Sequence, residues 1–67
     1  MNVFSIRLKE LREEMGLSIS QLAKNIGYSD VAVGRWERGL RQPNIEALIA
    51  LAKYFKVSTD YLCGLED

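Results

Sequence analysis

The apolar residues of this chain recur every three or four positions, the spacing that places side chains on one face of an α-helix. A first stripe consists of Phe4, Leu8, Leu11 and Met15. A second consists of Ile19, Leu22, Ala23 and Ile26. Gly16 and Gly27 follow these stripes as helix stops, and Ser18 with Gln21 fits a capping box at the start of the second helix. The pattern predicts two helices, the second about two turns long.

Three more helices are predicted in the rest of the chain. Ser29 and Gly39 bound the third. The fourth has an apolar stripe formed by Ile45, Leu48, Ala52 and Phe55. Leu51 and Tyr54 lie off that stripe, so this helix either is central or has a second buried side. A short fifth helix is expected around residues 59–63. Because the alternation typical of strands is weak, the sequence predicts an all-α fold with short connections.

The second and third helices are separated by the short turn Gly27-Tyr28-Ser29, an arrangement typical of a helix-turn-helix. Ala23 is small enough for close packing of the two helices, and Gly27 tolerates the positive φ that the turn needs. Val33 and Trp36 are expected to point inward and to hold the third helix in place. The opposite face of that helix is then free to enter a DNA major groove, which is about 12 Å wide.

The composition excludes several classes of protein. The 67 residues include one cysteine and no histidine, which leaves no internal disulfide, no zinc ligand set and no Cys-His or Ser-His catalytic pair. We therefore expect no metal, no cofactor and no enzymatic activity, and we expect Cys63 to be a small buried hydrophobe. A signal peptide and an apolar run of about 20 residues are both absent, so a cytoplasmic protein is expected.

Four segments in order, QLAKNIG, RWERG, QPNIEALIALAKYF and VSTDYL, resemble the XRE family, the Cro/cI-type helix-turn-helix of phage repressors and bacterial regulators. The resemblance extends over nearly the whole chain. It implies one five-helix lambda-repressor-like DNA-binding domain over residues 1–67. It also implies a sequence-specific transcriptional regulator, and a repressor is favoured because repression needs only occupancy of a promoter. The protein would bind a palindromic operator as a homodimer, and its third helix, about residues 30–38, would enter the major groove.

The resemblance implies that Asp30, Val31 and Arg35 face the bases. An arginine can donate two hydrogen bonds to guanine, and this interpretation of Arg35 is favoured over a solvated surface charge. Val31 offers apolar contact to a thymine methyl group, or merely permits close approach. Asp30 can accept from cytosine, although a carboxylate in the first turn is also favoured by the helix dipole, and that structural interpretation is preferred. Gly34 allows closer approach of the backbone to DNA, or is tolerated on an exposed face.

Contacts with the DNA backbone are expected from five residues: Ser18, Ile19, Arg38, Arg41 and Asn44. The family usually has a glutamine where this chain has Ile19, which leaves the backbone N–H and the helix dipole for an anion contact. For each arginine the alternative is an ordinary surface charge. For Ser18 a purely capping role is preferred.

The resemblance also implies a structural ion pair between Arg12 and Glu37. The formal net charge is zero, but residues 35–42 hold three arginines and one glutamate. With Glu37 paired internally, the DNA face would be basic and the opposite face acidic. Contacts between two copies are expected from Thr59, Tyr61 and Leu65, at the last helix; for Tyr61 the alternative is packing onto the fourth helix.

A second function remains open from the sequence. Asp30, Ile19 and Gly34 depart from the pattern of a DNA reader and favour a protein-binding module on a helix-turn-helix scaffold, such as an antitoxin or a partner-titrating antagonist. A steep salt dependence of binding to a duplex distinguishes the two, because neutralising phosphates releases counterions.

Overall fold

A computed structural model describes residues 2–67, which form five helices and no strand. The helices are α1 (Val3–Glu14), α2 (Ile19–Ile26), α3 (Asp30–Glu37), α4 (Ile45–Phe55) and α5 (Thr59–Cys63). The all-α prediction and the five helices are confirmed. Within residues 2–67, none of the helices combines the length and the apolar character needed to cross a bilayer.

Each helix begins at a residue whose side chain accepts a hydrogen bond from the first turn. These N-caps are Asn2, Ser18, Ser29, Asn44 and Ser58. The reciprocal capping box of α2 is present as predicted. A second box, in which Asn2 and Ser5 bond each other's backbone N–H, starts α1 and was not anticipated from the sequence. Capping of this kind fixes the helix starts, which is why the predicted boundaries of α2 to α5 agree closely with the structure.

Every helix contributes at least one fully buried leucine or valine to the core. These residues, each with no exposed surface, are Leu8, Leu22, Val33, Leu51 and Leu62. Trp36 is 5% exposed and its ring meets Tyr28 edge to face, with the ring centroids 5.4 Å apart. The two inward residues predicted for α3, Val33 and Trp36, therefore both anchor that helix.

Three expectations about burial are wrong. Ile45 is 76% exposed, because the buried side of α4 is centred on Ala47 and Leu51, and Ile45 lies roughly 140° around the helix from that centre. Met15 is 52% exposed because α1 ends at Glu14 and the stripe is interrupted there. Cys63 is exposed in the last turn of α5 and does not join the core.

Arg7 of α1 joins the C-terminal segment to the rest of the domain. Its guanidinium donates to the carbonyl oxygen of Tyr61 and, at 2.6 Å, to that of Glu66. The same group lies 4.3 Å from the centroid of the Tyr61 ring, within the range of a cation–π interaction. Tyr61 is thus packed against α1 through Arg7.

Candidate nucleic-acid interface

The turn between α2 and α3 sets the direction of α3. Gly27 has φ of +79°, a left-handed conformation that glycine adopts without a steric penalty. The N–H of Tyr28 then bonds the carbonyl of Ala23 at 2.9 Å. Ala23 is 2% exposed and lets the two helices approach closely. With Val33 buried on the inner side, the opposite side of α3 is directed to solvent.

The outer face of α3 carries an apolar and a cationic side chain one turn apart. Val31 is 55% exposed, and Arg35, four residues further on, is also exposed. Residues four apart lie side by side on a helix. This face therefore offers both a methyl-sized apolar surface and a two-pronged hydrogen-bond donor, the two kinds of group that recognise thymine and guanine edges.

Asp30 stands at the first position of α3 and is bonded to α2. The hydroxyl of Ser20 donates to the Asp30 carboxylate at 3.4 Å, a long hydrogen bond. Ser29 caps the same turn by accepting from the N–H of Ala32 at 3.1 Å. Asp30 remains exposed, so its carboxylate is available at the edge of the outer face. Ser20 was not singled out from the sequence, because its partner lies ten positions away on another helix.

An open cleft of about 350 Å³ runs between α3 and the start of α4. Its polar lining comes from Ser29, Arg35, Arg41, Gln42 and Asn44. Arg41 and Asn44, both predicted to contact a DNA backbone, are thus brought together with Arg35. The start of α4 contributes the positive end of a helix dipole, and Asn44 caps it by accepting from the N–H of Ala47 at 2.8 Å. Such a cleft suits an anion.

Gln42 is a lining residue that sequence reasoning missed. It lies in the loop before Pro43, where neither periodicity nor helix capping marks it. Its amide can both donate and accept hydrogen bonds, which adds a neutral polar group beside the two arginines.

Ser18 and Ile19 form the start of α2. The Ser18 hydroxyl accepts from the N–H of Gln21 at 3.1 Å, and the Gln21 amide oxygen accepts from the N–H of Ser18 at 2.8 Å. The serine oxygen is therefore engaged as a cap. The N–H groups of the first helical turn that the cap leaves unused, those of Ile19 and Ser20, have no partner within the helix. They provide a backbone site for an anion at the positive end of α2.

Arg38 follows the last residue of α3, and its side chain lies back along the helix. A Cβ placed on Gly34 would stand 3.3 Å from Arg38 Nη1 and 3.8 Å from its Cζ. Gly34 is accordingly buried although it lies outside the core, and the idea of a glycine tolerated on an exposed face is wrong. Arg38 itself is exposed.

Arg12 and Glu37 are in direct contact. Arg12 Nε donates to Glu37 Oε2 at 2.6 Å, and Nη2 donates to Oε1 at 3.0 Å. Arg12 Nη1 also donates to the Leu17 carbonyl at 2.8 Å. The hydrogen bonds to Glu37 raise the pKa of Arg12 above its ordinary value, although partial burial acts in the opposite direction. With Glu37 turned inward, its charge is withdrawn from the outer face of α3.

The acidic residues of α1 lie elsewhere. Glu10, Glu13 and Glu14 surround a concavity shared with Tyr61, and none of them lines the cleft beside α3. Of the residues expected at a contact between two copies, Leu65 is 77% exposed, whereas Tyr61 and Thr59 are half-buried.

The chain is similar in sequence to known helix-turn-helix proteins. A sequence profile described as helix-turn-helix matches residues 8–62. The chain is 38% identical over 61 residues to the HTH-type transcriptional regulator YobD of Bacillus subtilis, a match that covers 91% of this chain and 54% of that protein. It is 39% identical over 56 residues to repressor protein C2 of Salmonella phage P22, covering 84% of this chain and 26% of that protein. The chain thus spans about half or less of the length of these two relatives.

Solved structures show the same fold. The crystal structure of the P22 c2 repressor in complex with a synthetic operator superposes with a TM-score of 0.86 at 35% identity, covering 92% of this chain and 94% of that one. The solution structure of the SOS-response repressor LexA from Eubacterium rectale gives a TM-score of 0.87 at 29% identity, covering 97% of this chain and 67% of that one.

Proposed function

The chain belongs to the XRE-type helix-turn-helix family, and from this premise we propose that it is a sequence-specific transcriptional regulator that binds double-stranded DNA and acts as a repressor. The observation that carries the proposal is the outer face of α3. Val31 and Arg35 are exposed there, one turn apart, on a helix that Val33 and Trp36 fix from behind. Inserted in a major groove, this face reads base edges. The role is binding, and it involves no catalysis.

Base recognition is assigned to three residues of α3. Arg35 donates two hydrogen bonds to a guanine, and Val31 contacts a thymine methyl group. Asp30, whose carboxylate lies 3.4 Å from the Ser20 hydroxyl, accepts from a cytosine amine at the edge of the same site.

Backbone contacts flank the reading face on two sides. The free N–H groups at the start of α2, at Ile19 and beside the capping hydroxyl of Ser18, contact one phosphate. Arg41 and the start of α4 at Asn44, which line the cleft beside α3, contact a second phosphate. These contacts fix the register of the protein on the duplex and carry no sequence information themselves.

The regulator acts as a homodimer on a palindromic operator, since one such domain contacts too few base pairs to select a site in a genome. Half-sites would then lie about one helical turn apart. The exposed side chain of Leu65 supports a contact near the C-terminal segment, together with the half-buried Thr59 and Tyr61. Repression follows from occupancy of a promoter by this dimer.

Selection of binding sites from a pool of random duplexes tests the proposal. The expected result is an enriched site made of two inverted half-sites, with a guanine in each whose recognition disappears for Arg35→Ala. Affinity for the enriched duplex should fall steeply as salt is raised. A pool that stays unenriched, from a protein that is folded by circular dichroism, would show that the proposal is wrong.

One observation favours a protein-binding module as the second function. The exposed Asp30 carboxylate puts negative charge at the start of the face that would approach phosphates. An antitoxin or a partner-titrating antagonist needs no affinity for nucleic acid. Failure to retard any duplex at low salt would support this function over the first.

A further inference from the structure

Gly34, in the middle of α3, leaves space that the guanidinium of Arg38 occupies. Three atoms of the Arg38 group, Nη1, Nη2 and Cζ, lie 3.3, 3.7 and 3.8 Å from the position that a Cβ of Gly34 would occupy. Contacts shorter than about 3.4 Å between carbon and nitrogen are crowded, so any side chain at this position forces the guanidinium to move. The charge of Arg38 occupies the space that a side chain at residue 34 would fill.

This position moves the charge along the helix. Arg38 lies one turn after Gly34, and one turn of an α-helix rises about 5.4 Å. The guanidinium is thus drawn back from the C-terminal end of α3 towards its middle. Gly34 is three residues from Val31, and Arg38 is three residues from Arg35, so Arg38 lies next to the outer face of α3. The Arg38 guanidinium consequently lies over Gly34, next to the face proposed to meet base edges, and not at the helix end where a phosphate contact was expected.

We propose that Gly34 and Arg38 act as one reading unit, in which the absence of a side chain at residue 34 positions the Arg38 guanidinium to recognise a second guanine in the half-site. The inference rests on the proposed function. It makes Gly34 a positioning residue, which acts through Arg38 without touching DNA. It assigns Arg38 to base recognition in place of the backbone contact expected from its place in the sequence.

The chemistry of the two cations distinguishes these roles. A guanidinium presents a planar pair of donors that matches guanine O6 and N7, whereas an ammonium acts as a point charge. A phosphate accepts either group. Arg38→Lys should therefore preserve a phosphate contact and abolish a two-pronged base contact.

Binding of Arg38→Ala and Arg38→Lys to two probes tests the base contact. The probes are the duplex that the wild-type protein enriches from a random pool and a random-sequence duplex of equal length. Both variants should lose about 5- to 150-fold more affinity for the enriched duplex than for the random one. Arg38→Lys should keep the salt dependence of the wild type. If Arg38→Ala loses equal affinity for both probes and Arg38→Lys restores binding, Arg38 contacts a phosphate and the inference is overturned.

Substitution at residue 34 tests whether the missing side chain positions the Arg38 guanidinium. Gly34→Ala needs only a small shift of Arg38, and Gly34→Leu should displace the guanidinium altogether. We expect a graded loss of preference for the enriched duplex, while thermal melting stays level or rises because both residues favour helix more than glycine does. In the Arg38→Ala background Gly34→Leu should have no further effect, since the group it displaces is gone. A loss that persists in that background would mean that residue 34 meets DNA itself, which contradicts a positioning role.

Failure of the proposed function has a different signature. In that case the wild-type protein enriches no duplex, and the proposed role of Gly34 and Arg38 is wrong as well. If only the reading unit is wrong, the wild type still enriches a palindromic site and Arg35→Ala still relaxes it, while the variants at residues 34 and 38 leave the preference intact.

Discussion

Arg12 and Glu37 join α1 to α3 through two hydrogen bonds between one guanidinium and one carboxylate, at 2.6 and 3.0 Å. The two side chains are only 12% and 5% exposed. The pair therefore acts where solvent screens little. It fixes the end of α3 from the inside while the outer face remains free. Because the pKa of Arg12 is raised, the stability contributed by its pairing with the Glu37 carboxylate is present below the ordinary pKa of arginine and is lost as the pH rises through the raised value.

Removing the cation from this pair should strongly destabilise the fold. Arg12→Ala leaves the buried Glu37 carboxylate without its partner, which typically costs about 3–5 kcal/mol. In a domain of this size such a loss leaves a large unfolded fraction at room temperature. Urea denaturation followed by circular dichroism measures the change. Lys9→Ala, at an exposed position of the same helix, is the control and should change stability by less than about 0.5 kcal/mol.

A second variant shows whether Arg12→Ala destabilises the fold through the unpaired Glu37 charge or through lost packing. Replacing both partners with leucine removes the buried charge, and such replacements are often neutral or stabilising. The double variant should therefore be more stable than Arg12→Ala. An Arg12→Ala protein that unfolds at the wild-type urea concentration would contradict the structural role of the pair.

Arg35→Ala should reduce sequence preference more than total affinity. On the enriched duplex the loss is expected to be about 1–3 kcal/mol, with preference relaxed at one base pair of each half-site. The physical reason is the loss of two hydrogen bonds to one guanine, which a random duplex seldom supplies in register. Fluorescence anisotropy with single-base variants of the duplex measures this. Arg35→Lys should show nearly the same relaxation, since one ammonium does not replace the planar donor pair. Uniform weakening on every duplex would place Arg35 at a phosphate.

Arg41→Ala should behave in the opposite way. Arg41 lines the cleft beside the start of α4, where a phosphate would lie. Its removal should weaken binding to enriched and random duplexes alike and should lower the slope of log affinity against log salt by about one. Titrations between low and moderate salt give the slope. Arg41→Lys should restore most of the binding. A change in base preference with an unaltered slope would contradict this assignment.

Much of this fold could be predicted from the sequence because local physical signals coincide in it. Ser18, Ser29 and Ser58 cap helices at positions where hydrophobic periodicity also begins. The face of α4 was harder to predict. Its apolar residues surround more than half of the helix, so periodicity alone puts Ile45 on the buried face. In the structure, packing against the other helices buries Leu51 instead.

The candidate site was predictable only in part. Exposure of Val31 and Arg35 follows from the helical pattern once Val33 and Trp36 are placed inward. The contact of Ser20 with Asp30 and the position of Arg38 over Gly34 depend on side-chain conformations that sequence spacing does not determine. The Arg12–Glu37 pair joins residues of two different helices, and it was expected only through the resemblance to a family.

The glycines that follow α5 and α1 provide a matched pair of substitutions. Gly64 and Gly16 both have positive φ, +84° and +70°. Alanine at either should cost about 1–2 kcal/mol for the left-handed backbone. A Cβ at Gly64 would also lie 2.9 Å from Cγ1 of Val3, whereas nothing stands within 4 Å of one at Gly16. We therefore expect Gly64→Ala to lower the urea midpoint further than Gly16→Ala. Equal midpoints would mean that the C-terminal segment moves away from α1 at little cost, despite the hydrogen bonds from Arg7 to the carbonyl oxygens of Tyr61 and Glu66.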